Sequence, residues 1–455
     1  MKDVDIIGQA TALLNLAIFR RRAERSLPRG RVVKKRKIIV SPSVNTPDPF
    51  VGFGGYCGWP RVCRLHNGDL YGAFSAGYWH ASWVNPRPDL PPANAEYMEA
   101  AMEGGGTWDA PTGGHIMWTR SSDEGATWTR PRDLAVIPNA YAPGAIAQHS
   151  DGAMYAAALV QSGHYMADHI PAEPLEFLRV MDEHFPEEIA VLRSDDNGES
   201  WLEVGRTSGP FLTRLEHPCS ITEGEDGALL MLIDGYAVPG AARRRWVMAL
   251  LRSADRGASW ETVAVFGDGE RAMEEGHLAR LPDGRLATAT RPWSLWTTSA
   301  DGGSPWSKPR QLLDLQTQPG RQDPTGCKKG DWLGTGEGMV VLLTCGPPGG
   351  HGQVLYSRDC GESWIRPAAV RGFVADEYAY YPSGCLMPAG SIFMVGDHQG
   401  FANPYGSFGA EVVAGRFRIL EEGEGEGVEV LPIAGELHEP WGNAVDGADA
   451  TVRRS

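Results

Sequence analysis

The chain has 455 residues, 42% of them hydrophobic, with 57 Gly, 33 Pro and a formal net charge of −15. That balance suits a large core of short strands and turns, and it excludes the basic surface on which nucleic-acid binding depends. Seven cysteines without CxxC spacing argue against a disulfide framework or a zinc site and for a reducing, cytoplasmic setting, and no apolar run reaches the roughly 18 residues a membrane-spanning helix needs.

Residues 1–30 form the first expected element. The apolar run Ala12 to Phe19 follows Asp3 and Asp5 and precedes Arg20, Arg21 and Arg22. A signal peptide carries its positive charge first, so the segment reads as a short amphipathic helical extension. Its arginines are either a solvated charge run or a contact that builds a homo-oligomer. Val32 to Val40 is a strand. Residues 31–420 then carry the main domain, and 421–455, rich in Glu, Gly and Ala, read as an acidic, partly ordered tail.

Two repeats run through the main domain. The first opens near a proline, continues through an apolar stretch and closes on a glycine turn. Its copies begin at Gly58-Trp59-Pro60-Arg61, Ala142-Pro143-Gly144, Glu216-His217-Pro218, Glu274-Glu275-Gly276-His277, Gln322-Asp323-Pro324 and Tyr380-Tyr381-Pro382. Their turns end at Gly68, Gly152, Gly227, Gly284, an irregular Gly334 or Gly336, and Gly390. Insertions at 82–108 and 164–188 interrupt it, and insertions of that length are usually functional or disordered.

The second repeat is Ser-x-Asp-x-Gly-x-(Thr/Ser)-Trp, at Ser121 to Trp128, Ser194 to Trp201, Ser253 to Trp260 and Ser357 to Trp364, with a degenerate copy from Ser299 to Trp306 in which Pro305 replaces Thr/Ser. Asp and Ser fold a tight turn by bonding nearby backbone, Gly supplies a positive φ, and Trp packs beneath with its indole N–H seeking an acceptor. Strand-like residues precede the regular copies, so each is expected to be a peripheral hairpin turn.

These turns resemble the Asp-boxes, or BNR repeats, of the sialidase (neuraminidase) superfamily over roughly residues 40–420. The resemblance implies an all-β, six-bladed β-propeller whose six inner strands start at the six openings above. Val32 to Val40 would close the ring against the last blade. It implies a carbohydrate-active hydrolase, a glycosidase, working on a glycan or small sugar, with no cofactor, no metal, no nucleic acid and no membrane partner.

The resemblance also assigns residues. Glu275-Gly276-His277-Leu278-Ala279-Arg280-Leu281-Pro282-Asp283-Gly284 matches the family's glutamate strand, and Tyr381-Pro382-Ser383 its tyrosine nucleophile. A phenol is a weak nucleophile near neutral pH, and an adjacent carboxylate can take its proton. Arg291 matches one arginine of the family's carboxylate-binding triad. The other two are missing: Gly58-Trp59-Pro60 stands in place of one, with Arg61 a step beyond, and His351 lies where the third is expected. His80, beside Tyr78 and Trp79, takes the place of the family's acid/base aspartate. The incomplete triad points away from sialic acid itself. The candidate catalytic set is Glu275, Tyr381, His80 and Asp323. The candidate substrate-binding set is Arg291, Arg61, Trp59, Trp79, Glu216, His217, His277 and Tyr380. Two other readings stay open: a polysaccharide lyase using His and Tyr, and a non-catalytic propeller that binds glycan or protein.

Overall fold

The computed structural model describes residues 37–40, 56–77, 83–84, 112–137, 140–161, 187–211, 213–237, 246–312, 328–334, 338–345, 353–365, 379–402, 408–421, 424 and 427–433. Two compact units divide the chain, Met1–Lys34 and Lys35–Ser455. The expected N-terminal helix, most of both insertions, and His80, Trp79 and Asp323 lie outside the described residues.

The described part of the second unit is an all-β propeller. Its inner strands are Tyr56–Arg64, Ala140–Gln148, Thr213–Glu223, Met273–Arg280, Lys328–Gly334 and Ala379–Leu386. Each packs beside the next in chain order, and the last packs against the first. Six separate sheets are expected from the sequence, whereas five are hydrogen-bonded among the described residues. The difference lies at one seam. Tyr56 pairs in parallel with Ala410, which fuses the sheets of the first and last inner strands into one of ten strands. Lys37–Val40 adds to Phe408–Ile419 of that sheet, so both chain directions contribute to the closure and the edge is covered. The sheet also runs past residue 420, where the acidic tail is expected: Val428–Leu431 pairs with Phe408–Ile419.

The core lies between neighbouring sheets. Middle strands are covered on both faces, so they read as continuous apolar runs rather than alternating ones. Leu229, Leu230, Met231, Leu232 and Ile233 are all buried. Odd members join Tyr155, Leu159 and Val191 of the preceding sheet, while Leu230 and Leu232 join Leu278 and Leu286 of the next. Each such side chain contributes about 1.5–3 kcal/mol when fully buried.

The repeated turns stitch this ring at its rim. In the copy at Ser194, Gly198 N–H donates to Ser194 Oγ at 2.8 Å, Ser200 N–H to Asp196 Oδ1 at 2.9 Å, and Trp201 Nε1 to the Gly198 carbonyl at 3.1 Å. The copies at Asp123, Asp255 and Asp359 repeat these bonds. The degenerate copy keeps only the glycine bond, Gly303 N–H to Ser299 Oγ at 3.2 Å. Pro305 has neither the N–H nor the hydroxyl that Asp301 would accept.

The glycine is required twice over. At Gly198 φ is +85°, and a methyl group there would overlap the Tyr71 ring of the preceding sheet. The other copies meet their preceding sheets at Val191, Leu250 and Trp296, and Gly125 of the first meets Phe393 of the last. Every turn is therefore a hairpin end and a contact between neighbours at once.

Asp255→Ala should cost about 1–3 kcal/mol, read as a lowered Tm, because it removes the acceptor of several turn bonds. Acid should expose the same bonds. Side-chain bonding from Ser200 and Ser259 holds Asp196 and Asp255 at about 2, below the ordinary 3.8. A depressed carboxylate stabilises fully above its unfolded value and loses that contribution as pH falls through the folded one. Between about pH 4 and 2, an Asp196→Asn/Asp255→Asn variant should show a shallower fall of Tm than the parent.

Candidate active site

The inner strands are not regular at their heads. In the first, fourth, fifth and sixth hairpins the register slips at one place, between Gly58 and Arg61, Glu274 and His277, Lys328 and Asp331, and Tyr380 and Ser383. The slip is a β-bulge, which inserts a residue and re-aims its side chain. In three of these bulges the second residue is left-handed: Trp59 at φ +50°, Glu275 at +48° and Tyr381 at +50°. A side chain in this region costs about 1–2 kcal/mol, and such strain gathers at functional sites.

The bulges bring three of the expected residues together. Tyr381 Oη donates to Glu275 Oε1 at 3.4 Å. Arg291 Nε lies 2.5 Å from Glu275 Oε2, and Arg291 Nη2 donates to Glu274 Oε2 at 3.0 Å. The register explains the arginine's place: Arg291 stands directly opposite Glu274 on the second strand. Glu275 is 2% exposed. Its own N–H donates to Asp234 Oδ2 at 2.5 Å. The Trp59 ring meets the Tyr381 ring edge-on at 5.9 Å between centroids. His217 Nε2 stands 3.7 Å from Glu275 Oε1, close but beyond hydrogen-bonding distance.

Burial opposes the charge on Arg291, but Glu275 and then Glu274 more than offset it and raise its pKa above the ordinary arginine value. One guanidinium thus serves two carboxylates, with Asp234 behind them. Among the described residues no group of three or more His, Cys, Asp or Glu side chains is arranged to hold a metal ion.

The remaining candidates separate. Arg61 is 6% exposed and donates from Nε to the Gly144 carbonyl of the next inner strand at 3.0 Å, so it joins two strands. His277 is half-buried, opposite Ala289. For Glu216 and Tyr380 the strand path alone is described. His217 is displaced by one position from Glu275 and Tyr381, its counterparts in the other strand openings. It pairs with Asp234 as Tyr380 pairs with Asp397, so Pro218 takes the place of Glu275 and Tyr381 while His217 corresponds to Glu274. The fifth bulge also differs from expectation. Lys328 and Lys329 occupy the register places of Glu274 and Glu275, ahead of the apolar Trp332-Leu333. The sequence reading passed over this pair because it followed the proline of Gln322-Asp323-Pro324. Asp234 was missed too, and its signal was a lone carboxylate ending the apolar run Leu229 to Ile233.

No protein-family model matches the sequence, and no curated protein matches it. Solved structures do. A Dyadobacter fermentans protein of unknown function has a TM-score of 0.57 at 15% identity, over 84% of this chain and 98% of that one. The NanB sialidase of Streptococcus pneumoniae follows at 0.54 and 13%, over 86% and 71%. The leech intramolecular trans-sialidase stands at 0.53 and 13%, over 81% and 69%. At such identities the likeness is one of fold: the chain is a sialidase-like β-propeller.

Arg291→Met should destabilise the protein by roughly 2–4 kcal/mol, because it leaves Glu274 and Glu275 without their shared cation. Adding Glu274→Gln should recover part of the lost Tm.

Proposed function

We propose that the protein is a glycoside hydrolase in which Tyr381 is the nucleophile, Glu275 its base and Arg291 the cation that orients Glu275. The observation that carries this reading is the contact of Tyr381 Oη with Glu275 Oε1 at 3.4 Å while Arg291 holds the opposite oxygen. A carboxylate in that place can take the phenol proton as the tyrosine oxygen bonds the anomeric carbon and the leaving oxygen departs. His80 is the proposed donor of the leaving group's proton, since imidazole titrates near neutral pH. The ring is proposed to hold six blades, the ten-stranded sheet being two of them, each rimmed by an Asp-box except the last.

The incomplete arginine triad supports a neutral sugar over sialic acid. Arg291 is already shared by Glu274 and Glu275, so a substrate carboxylate would compete with two resident ones for it. Trp59, packed on Tyr381, offers an apolar edge for a sugar face. The lyase reading has one observation in its favour, the nearness of His217 to Glu275.

Aryl glycosides of neutral sugars, sialic acid and uronates, together with uronate oligosaccharides, form the test set. Hydrolysis of a neutral glycoside is expected, and Tyr381→Phe and Glu275→Gln should each lower kcat by about 10²–10⁴-fold. A fully active Tyr381→Phe removes the tyrosine from the mechanism. Ultraviolet absorbance from an unsaturated uronate product would establish the lyase instead.

A further inference from the structure

Two aspartates with 0% exposure, Asp234 and Asp397, occupy one register place on the second strands of the third and sixth hairpins, opposite His217 and Tyr380. Both reach across to the next inner strand and accept a main-chain N–H. Asp397 Oδ2 takes that of Trp59 at 3.3 Å, and Asp234 Oδ2 takes that of Glu275 at 2.5 Å. The recipients are the left-handed residues of their bulges, at φ +50° and +48°. A serine accompanies each pair farther along the strand. Ser220 Oγ accepts from Leu278 N–H at 2.8 Å, and Ser383 Oγ from Val62 N–H at 3.2 Å. The same four-part arrangement therefore appears twice, at unrelated sequences.

We infer that Asp234 is the positioning residue of the candidate active site: by holding the Glu275 N–H it fixes the left-handed turn that aims the Glu275 carboxylate at Tyr381. This rests on the proposed Tyr381–Glu275 pair. An ionised carboxylate in a dry interior bonds main-chain N–H groups strongly, and it is costly to bury without them. Asp234 has two such partners, because Oδ1 accepts the His217 N–H at 2.8 Å while Oδ2 accepts that of Glu275. The bond favours the left-handed conformation of Glu275 over an extended one, and an extended residue points its side chain elsewhere. Asparagine cannot substitute. It has one acceptor oxygen, and its NH2 would face the second N–H.

The test needs no substrate. In the full-length protein carrying 13Cζ-labelled tyrosine, the Tyr381 resonance is assigned by its loss in Tyr381→Phe. Its shift senses the bond to Glu275. Glu275→Gln should move it, Asp234→Asn should move it in the same direction, and Ser220→Ala, which removes the neighbouring brace on Leu278, should leave it in place. If Glu275→Gln moves the resonance and Asp234→Asn does not, the positioning role is overturned while the Tyr381–Glu275 pair survives. If Glu275→Gln has no effect, the pair fails and this inference with it. Should Asp234→Asn not fold, the wild-type protein decides: a coupling across the hydrogen bond between the Glu275 amide nitrogen and the Asp234 carboxyl carbon is expected, and its absence overturns the inference.

Discussion

A left-handed residue at the head of the inner strand Met273–Arg280 is the constraint on which the candidate site depends. A regular strand would alternate its side chains between the two faces of the sheet. The bulge between Glu274 and His277 breaks that alternation, so consecutive carboxylates, Glu274 and Glu275, both reach Arg291. The equivalent slip in the last hairpin turns Tyr381 towards the same point. Two hairpins far apart in sequence can meet there because each inner strand packs on its neighbour around a closed ring.

The rim gives that ring its rigidity. A glycine in each repeated turn abuts the sheet before it, and Gly125 meets Phe393 across the seam between the ends of the chain. Neighbouring sheets then share apolar cores, such as the one joining Tyr155 and Val191 to Met231 and Leu251. Strained residues at the funnel persist when their surroundings over-determine them, and the closed rim and buried interfaces are those surroundings here. The turns thus support the site without approaching it, which agrees with their being exposed at Asp123, Asp196 and Asp255.

Much of this was legible in the sequence because the signals were local. The repeated Ser-Asp-Gly-Trp turns announce themselves by chemistry that four or five neighbouring residues complete. The glycines at 68, 152, 227, 284 and 390, where turns were expected to end, all adopt a positive φ. Glu275, Tyr381 and Arg291 were assigned through the resemblance to the sialidase superfamily, and the fold brings them together. The register of the funnel was less legible. Proline follows the bulge residue at Trp59-Pro60 and Tyr381-Pro382 but occupies the bulge place at Pro218, so alignment on proline displaced His217 by one residue. In the fifth hairpin the same habit led to Asp323 instead of Lys328 and Lys329. Asp234, and the bond of Arg61 to the next inner strand, could not be read from sequence, because each acts on main-chain atoms of a neighbouring hairpin, and no spacing within their own strands reports that.

The proposed role of Tyr381 requires that its oxygen form a bond to the sugar. A 2-fluoro glycoside with a good leaving group, built on whichever neutral sugar is cleaved, should slow release of the intermediate and let it accumulate. Peptide mapping of the trapped protein by mass spectrometry should then place one glycosyl adduct on Tyr381, with Glu275 unmodified. An adduct on Glu275, or continued turnover without labelling of Tyr381, would contradict the assignment of nucleophile and base.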